Sequence, residues 1–391
     1  MKTHWRLPRG VDELLPPAAW ELESLRRRVL DVFDAWGFDY VEPPVIEYLE
    51  SLLVGSGEDM DLQTLKVIDQ VSGKQLGVRA DMTSQAVRID AHSRVTDDVQ
   101  RLCYAGPVVL ANPQIAQSSR VPFKAGAEIF GAGSLDADAE IISLMLEAVR
   151  AGGVQQPVLL LGHMGIYHGL ASAAVSSGAL AEEDELTLFG KIQRKSESDI
   201  RELLDESPIA EMIAQLPRLM GEIEVLDQAR DVLSGAPDAV LAAIAQLEDL
   251  ARMVRAANND VQVGLDVAEL SGYGYHNGPV FAVYHPQRGS AVAQGGRYDG
   301  VGDVFGRGRP ATGFDMDLKG LIGGTSAARP VVFAPYVTGA ARSKLVEKVD
   351  ALRAQGYRVR CALSATEQVP AGCSQLLVEN NGRWQLAEVP T

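Results

Sequence analysis

Gln294-Gly295-Gly296-Arg297-Tyr298-Asp299-Gly300 packs three glycines and three chemically active side chains into seven residues. So much glycine disfavours a regular element, and the run reads as a turn presenting Arg, Tyr and Asp. A second stretch, Val78-Arg79-Ala80-Asp81-Met82-Thr83, ends a strand and opens a helix, with Asp81 or Thr83 near the helix start, where a short oxygen-bearing side chain satisfies free N–H groups. Taken singly, each reads as an ordinary turn closed by internal ion pairs. Occurring in order along one chain, they become the pair on which the reading of the fold depends.

Outward from these stretches the pattern alternates between helix and strand. Leu22, Leu25, Val29, Val32 and Trp36 recur at three- and four-residue steps, giving one apolar helical face, and Gly37 stands where a C-cap is expected. Phe38–Val41 reads as a strand stopped by Pro43-Pro44. A hairpin is expected around Ser72-Gly73-Lys74, a helix from Asp81 to Arg94, strands over Leu102–Val109 and Phe123–Phe130, a helix from Asp136 to Gly152-Gly153, and a buried strand over Val158–Leu161. Residues 182–258 are acidic, rich in Ala and Leu, and broken by Pro208, Pro217 and Pro237, which predicts several helices in a bundle of their own. Strands return at Val261–Val263, Val280–Tyr284 and Ser290–Ala293, and a short helix is expected after Asp315. Gly323-Gly324-Thr325-Ser326 reads as a linker to a tail of strand, helix, strand and a hairpin around Asn380-Asn381-Gly382. Short turns between many strands favour an antiparallel sheet.

Composition narrows the class. The 391 residues carry 36 Lys and Arg against 52 Asp and Glu, a net charge of −16, so a nucleic-acid partner would need a local basic groove. Three scattered cysteines (Cys103, Cys361, Cys373) form no CxxC pair and are expected as reduced thiols in a cytoplasmic chain. No apolar run reaches membrane-spanning length, and the first residues do not read as a secretory signal. There is no GxxxxGK[ST] loop, no strand-linked GxGxxG, no HExxH and no metal-ligand spacing of His and Cys, so neither cofactor nor metal is expected. Asp97-Asp98 lacks the Thr-Gly turn that would cradle a phosphoribosyl group and reads as a solvated turn.

Several ordered motifs carry a resemblance. Leu7-Pro8-Arg9-Gly10-Val11-Asp12-Glu13-Leu14-Leu15-Pro16, Arg79–Thr83, Gly126-Ala127-Glu128-Ile129-Phe130-Gly131, Gly295–Gly300 and Gly313-Phe314-Asp315-Met316-Asp317-Leu318 resemble the histidyl-tRNA synthetases. The likeness is closer to the paralogous family of regulatory subunits of short-form ATP phosphoribosyltransferase, through Gly55–Thr64, Arg79–Thr83, Leu161-Gly162-His163-Met164-Gly165 and Gly272-Tyr273-Gly274-Tyr275-His276. It spans residues 6–322.

The resemblance implies an α+β fold, a class II aminoacyl-tRNA synthetase-like, mainly antiparallel sheet flanked by helices. It divides the chain into a core over 1–181 and 258–325, a helical insertion over 182–257, and a small α/β appendage over 330–391. It places Asp81, Thr83 and Glu128 at amino-acid contacts, and Tyr275, His276 and Tyr298 around an imidazole pocket. Lys124 stands where the synthetases carry Gln. Three arginine positions of the synthetases hold Leu110, Ser271 and Gly320. Guanidinium groups there would grip ATP phosphates. Loss of one such donor typically costs about 3 to 4 kcal/mol in a transition state, so adenylation is not expected. Neither Arg101 nor Arg120 is expected to replace them.

The function implied is therefore a non-catalytic subunit that activates the short catalytic ATP phosphoribosyltransferase and confers histidine control. A hetero-octamer with four of each chain, built on a homodimer, is implied, with no nucleic acid or membrane partner. The alternatives are a divergent histidyl-tRNA synthetase and a stand-alone amino-acid sensor.

Overall fold

Phe123–Phe130 forms an eight-residue strand whose last six residues are all buried, so both of its faces are covered. It lies inside a nine-stranded sheet with the order Asp39–Tyr40, Gln100–Pro107, Phe123–Phe130, Ala311–Asp317, Ala291–Arg297, Pro279–Tyr284, Val158–His163, Gln262–Asp266, Met220–Gly221. Six of the eight pairings are antiparallel. Asp39–Tyr40 with Gln100–Pro107 and Val158–His163 with Gln262–Asp266 run parallel. This computed structural model describes residues 6–53, 58–112, 119–269, 275–286, 289–323 and 330–389. Within the family marks, Gly55–Gly57 and Gly272–Gly274 lie outside the described residues, as does most of the expected linker.

Alternation along each strand sorts side chains onto two faces. Ala125, Ala127 and Ile129 join Cys103, Phe314 and Met316 in the large core, against Leu25, Val29 and Phe33 of the helix Ala18–Ala35 and Ile141, Leu144 and Met145 of Leu135–Ala151. The opposite face carries Leu102, Tyr104, Phe130 and Ala311, packed with Met82, Ala86 and Val87. Leu135–Ala151 has Asp136 and Asp138 in its first turn and Arg150 in its last, each complementing the helix dipole. Helices between Glu185 and Ala257 bury residues such as Leu188, Ile213, Ile244 and Leu250 in the same continuous core as the sheet, rather than around a separate centre. Their apolar faces alone could not distinguish the two arrangements.

Two expectations are revised. Gly295, Gly296 and Arg297 are not a turn; they end the strand Ala291–Arg297, the two glycines paired on both sides and Arg297 with Thr312. Low strand propensity is overridden there because flanking strands supply hydrogen-bond partners. The helix expected over 81–94 is α-helical only over Thr83–Arg88 and widens to a π turn over Ile89–Ser93.

The chain divides into two compact units, Met1–Gly324 and Thr325–Thr391. In the second, the strands Arg358–Cys361, Val331–Ala334, Cys373–Asn380 and Arg383–Glu388 form a sheet beside the helix Ala340–Ala354, around Val332, Leu345, Val349, Leu352 and Leu377. Asn381 and Gly382 both have positive φ (50° and 75°), as a two-residue hairpin turn requires. Among the described residues no helix is long and apolar enough to cross a membrane.

Candidate amino-acid site

On the second face of the sheet, register alone brings one group of side chains together. Glu128 faces Gly313 across one strand boundary and Leu102 across the other, while Asp317 faces Lys124 and Asp315 faces Gln294. Period-two alternation therefore puts Lys124, Glu128, Asp315, Asp317 and Gln294 on one side. They line or border a cleft of about 400 Å³, its mouth included, whose walls are completed by Thr83, Tyr275, His276 and Tyr298.

Glu128 is almost wholly buried, with 1% of its surface exposed. It accepts hydrogen bonds from Tyr104 Oη (2.9 Å) and Tyr298 Oη (2.6 Å). Thr83 Oγ1 lies 3.1 Å from Tyr104 Oη and extends the network. Burial pushes the Glu128 carboxyl up to about 8, against the opposing pull of the Tyr298 and Tyr104 hydrogen bonds. Burial also raises the phenols of Tyr104, Tyr275 and Tyr298 well above their usual range, so they stay protonated.

Asp81 precedes the helix and accepts from the Thr83 backbone N–H at 3.1 Å. Burial, then the charge of Asp315, raises its carboxyl above the ordinary range. Lys124 pairs with Asp315. Burial opposes the Lys124 charge, but the field and hydrogen bond of Asp315 outweigh it and raise the ammonium. Tyr275 lies against His276 at 4.1 Å between ring centroids and meets Tyr298 edge-on at 5.7 Å, which forms the aromatic wall.

Two glycines let the strands and Glu128 pack this closely. A Cβ on Gly313 would overlap the Glu128 carboxyl, and one on Gly295 would overlap the Gly313 carbonyl. The motif arginines do other work. Arg297 is buried against Asp138 (2.8 Å) and donates to the carbonyls of Ala132 and Ser134, which fixes the loop entering Leu135–Ala151. Arg79 donates to the carbonyls of Pro107 and Pro43. Arg101 pairs with Glu140, and Arg120 donates to the carbonyls of Leu110 and Arg9. Lys319, beside Gly320, pairs with Asp12.

Thus Thr83, Glu128, Tyr275, His276 and Tyr298, all expected from the sequence, line one cleft, with Lys124 at its border through Asp315 and Asp81 beside Thr83. Leu110 is half-buried, bridged to Thr64, and Gly320 has open space where a side chain would project. Ser271 lies outside the described residues. Tyr104, Asp315 and Asp317 were missed as site residues. Alternation from Glu128 through the sheet register was the signal that could have found them.

The family described as "Histidyl-tRNA synthetase" matches residues 10–321, and the "ATP phosphoribosyltransferase subunit HisZ C-terminal domain" matches residues 329–387. An ATP phosphoribosyltransferase regulatory subunit of Chromohalobacter salexigens is 45% identical, with 98% of each chain covered. One of Alkalilimnicola ehrlichii is 46% identical over 97% of this chain and 95% of its own. The chain belongs to the ATP phosphoribosyltransferase regulatory subunit family. The fold agrees. A solved ATP phosphoribosyltransferase regulatory subunit/histidyl-tRNA synthetase of Bacillus halodurans C superposes with a TM-score of 0.82 at 25% identity, covering 94% of this chain and 96% of that one. A histidyl-tRNA synthetase of Nostoc sp. PCC 7120 gives 0.78 at 16% identity over 96% and 92%. The regulatory subunit thus keeps the class II synthetase-like fold.

Proposed function

We propose that this regulatory subunit is non-catalytic, that it activates a short-form ATP phosphoribosyltransferase catalytic subunit, and that it brings that enzyme under histidine control. The charge of the cleft is the observation that carries this reading. Among the described residues, Glu128 and Asp315 line the cleft, and Asp81, Asp315 and Asp317 surround the Lys124 ammonium. Arg79, Arg101, Arg120, Arg297 and Lys319 are all held by carbonyls or carboxylates. A triphosphate needs the opposite arrangement, with preorganised cations aimed at its oxygens. An ammonium-bearing amino acid suits an acidic cleft with an aromatic wall.

The roles then follow. Asp81 and Glu128 receive the ligand ammonium, Thr83 and Tyr104 orient Glu128, and Lys124 faces a carboxylate. Tyr275, His276 and Tyr298 flank the imidazole. The phosphoribosyl transfer belongs to the catalytic partner, in an assembly of four of each chain on a homodimeric core, in the cytoplasm. The helical insertion over 182–257 carries seventeen Asp and Glu against eight Lys and Arg, which disfavours a tRNA partner.

The coupling is a free energy shared between histidine and the active state of the partner, and it is reciprocal. Light scattering of the mixed chains, together with ATP–pyrophosphate exchange by this chain alone, tests the reading. A mass increase with no exchange is expected. Exchange dependent on histidine would identify a synthetase instead, and no mass shift would leave a stand-alone sensor.

A further inference from the structure

We propose that the cleft trades a proton for its ligand's ammonium group, with Glu128 a neutral acid when the cleft is empty and a carboxylate when an amino acid occupies it. This rests on the amino-acid reading above and adds its charge balance.

The geometry surrounds Glu128 with groups from every packed element. Tyr104 comes from one neighbouring strand, and Gly313 and Asp315 come from the other. Tyr298 follows the strand Ala291–Arg297, Thr83 and Asp81 stand at the helix start, and Tyr275 and His276 close the wall. On its own strand the charged neighbour is Lys124, which is bound to Asp315. The acid's hydrogen bonds come from uncharged hydroxyls, the phenols of Tyr104 and Tyr298 and the Thr83 side chain. A charge on Asp81 would oppose ionisation of Glu128.

A desolvated carboxylate without a counter-charge is unfavourable by several kcal/mol, so the group protonates instead. Burial raising it to about 8 agrees. Phenols donate and accept, so they serve either form. An arriving ammonium supplies the missing positive charge. Glu128 then ionises, its O–H bond breaks, and the proton passes to solvent while the ligand keeps its own. Net charge in the cleft changes by the ligand's charge less that one proton. The sign follows: below about pH 8 the empty site is held by its proton, so ammonium affinity falls as the pH falls.

The test is calorimetric titration of L-histidine into the full-length chain, alone and with the catalytic subunit, at pH 7 in two buffers of different ionisation enthalpy. Nearly one proton released per histidine is expected at pH 7, and none in Glu128→Gln. Binding heat identical in both buffers overturns the proton exchange while leaving the amino-acid site intact. Absence of binding in both preparations overturns the amino-acid site itself. Infrared difference spectra of the ligand-free chain between pH 7 and pH 9 decide the protonation state independently. A protonated-carboxyl band at pH 7 that is missing from Glu128→Gln is expected, and a wild-type spectrum without it overturns the proposal. Where Glu128→Gln fails to fold, Tyr298→Phe serves. Removing that donor moves the carboxyl's titration to higher pH, and an unmoved titration counts against the proposal.

Discussion

Gly313 and Glu128 are direct partners on adjacent strands, and the Glu128 carboxyl fills the space that a Gly313 side chain would need. The glycine is thus part of the cleft although it contributes no functional group. Gly313→Ala inserts a methyl into a packed interior, a change that typically costs about 1–3 kcal/mol. Thermal unfolding should show that loss. Combining it with Glu128→Ala should recover part of it, because the closest collision is with that side chain while the Ala127 carbonyl stays close. Equal losses in both backgrounds would place the strain elsewhere.

Arg297 anchors the Gly-rich motif to the loop before Leu135–Ala151 through Asp138 and two carbonyls. Both charged partners are almost wholly buried, 7% and 0% exposed at the side chain. Arg297→Ala leaves Asp138 unpaired, and breaking such a pair typically costs about 3–5 kcal/mol. Arg297→Lys should rescue little, since one ammonium cannot replace the planar fork. Denaturant unfolding of the two variants checks this, and near wild-type stability of either would contradict it.

Tyr298 was recognised because it sits in a recurring string, and the internal ion pair of Arg297 was the ordinary expectation for such a turn. The strand conformation of Gly295-Gly296-Arg297 was not legible, because it depends on strands contributed from elsewhere in the chain. Tyr104 and Asp315 were hidden for the same reason. Each looked like an ordinary strand residue until the register placed it beside Glu128. Phe123–Phe130 and Val158–Leu161, by contrast, were legible from apolar content alone, since a buried strand needs little beyond it.

His163 gives a pH prediction. Its Nδ1 accepts from the Gly165 backbone N–H at 3.1 Å, so it caps the helix Met164–Ser177, and its Nε2–H is left to donate to Gln246. Burial lowers its pKa from 6.5 to about 4. The folded chain therefore prefers the neutral ring, and His163 favours folding fully above pH 6.5. That contribution is lost as pH falls toward 4, to a total of roughly 3 kcal/mol. His163→Asn should flatten the stability decline between pH 6.5 and 4 in denaturant titrations. An unchanged slope would show that other groups set it.

Cys103 is buried beneath the helix Ala18–Ala35, and burial, followed by Asp39 and Asp34, pushes its thiol up to about 12. Thiolate is the reactive species, so this cysteine should be inert while the chain is folded. A thiol reagent at pH 8, followed by peptide mass spectrometry, should leave Cys103 unlabelled until denaturant is added. Rapid labelling of the native chain would contradict the packing.

The phosphoribosyl-transfer rate of the short catalytic subunit, measured with and without this chain and titrated with L-histidine, tests the regulatory role most directly. The rate is expected to rise when the chain is added and to fall again as histidine is titrated in. An unchanged rate in the presence of a stoichiometric excess of the chain would contradict it.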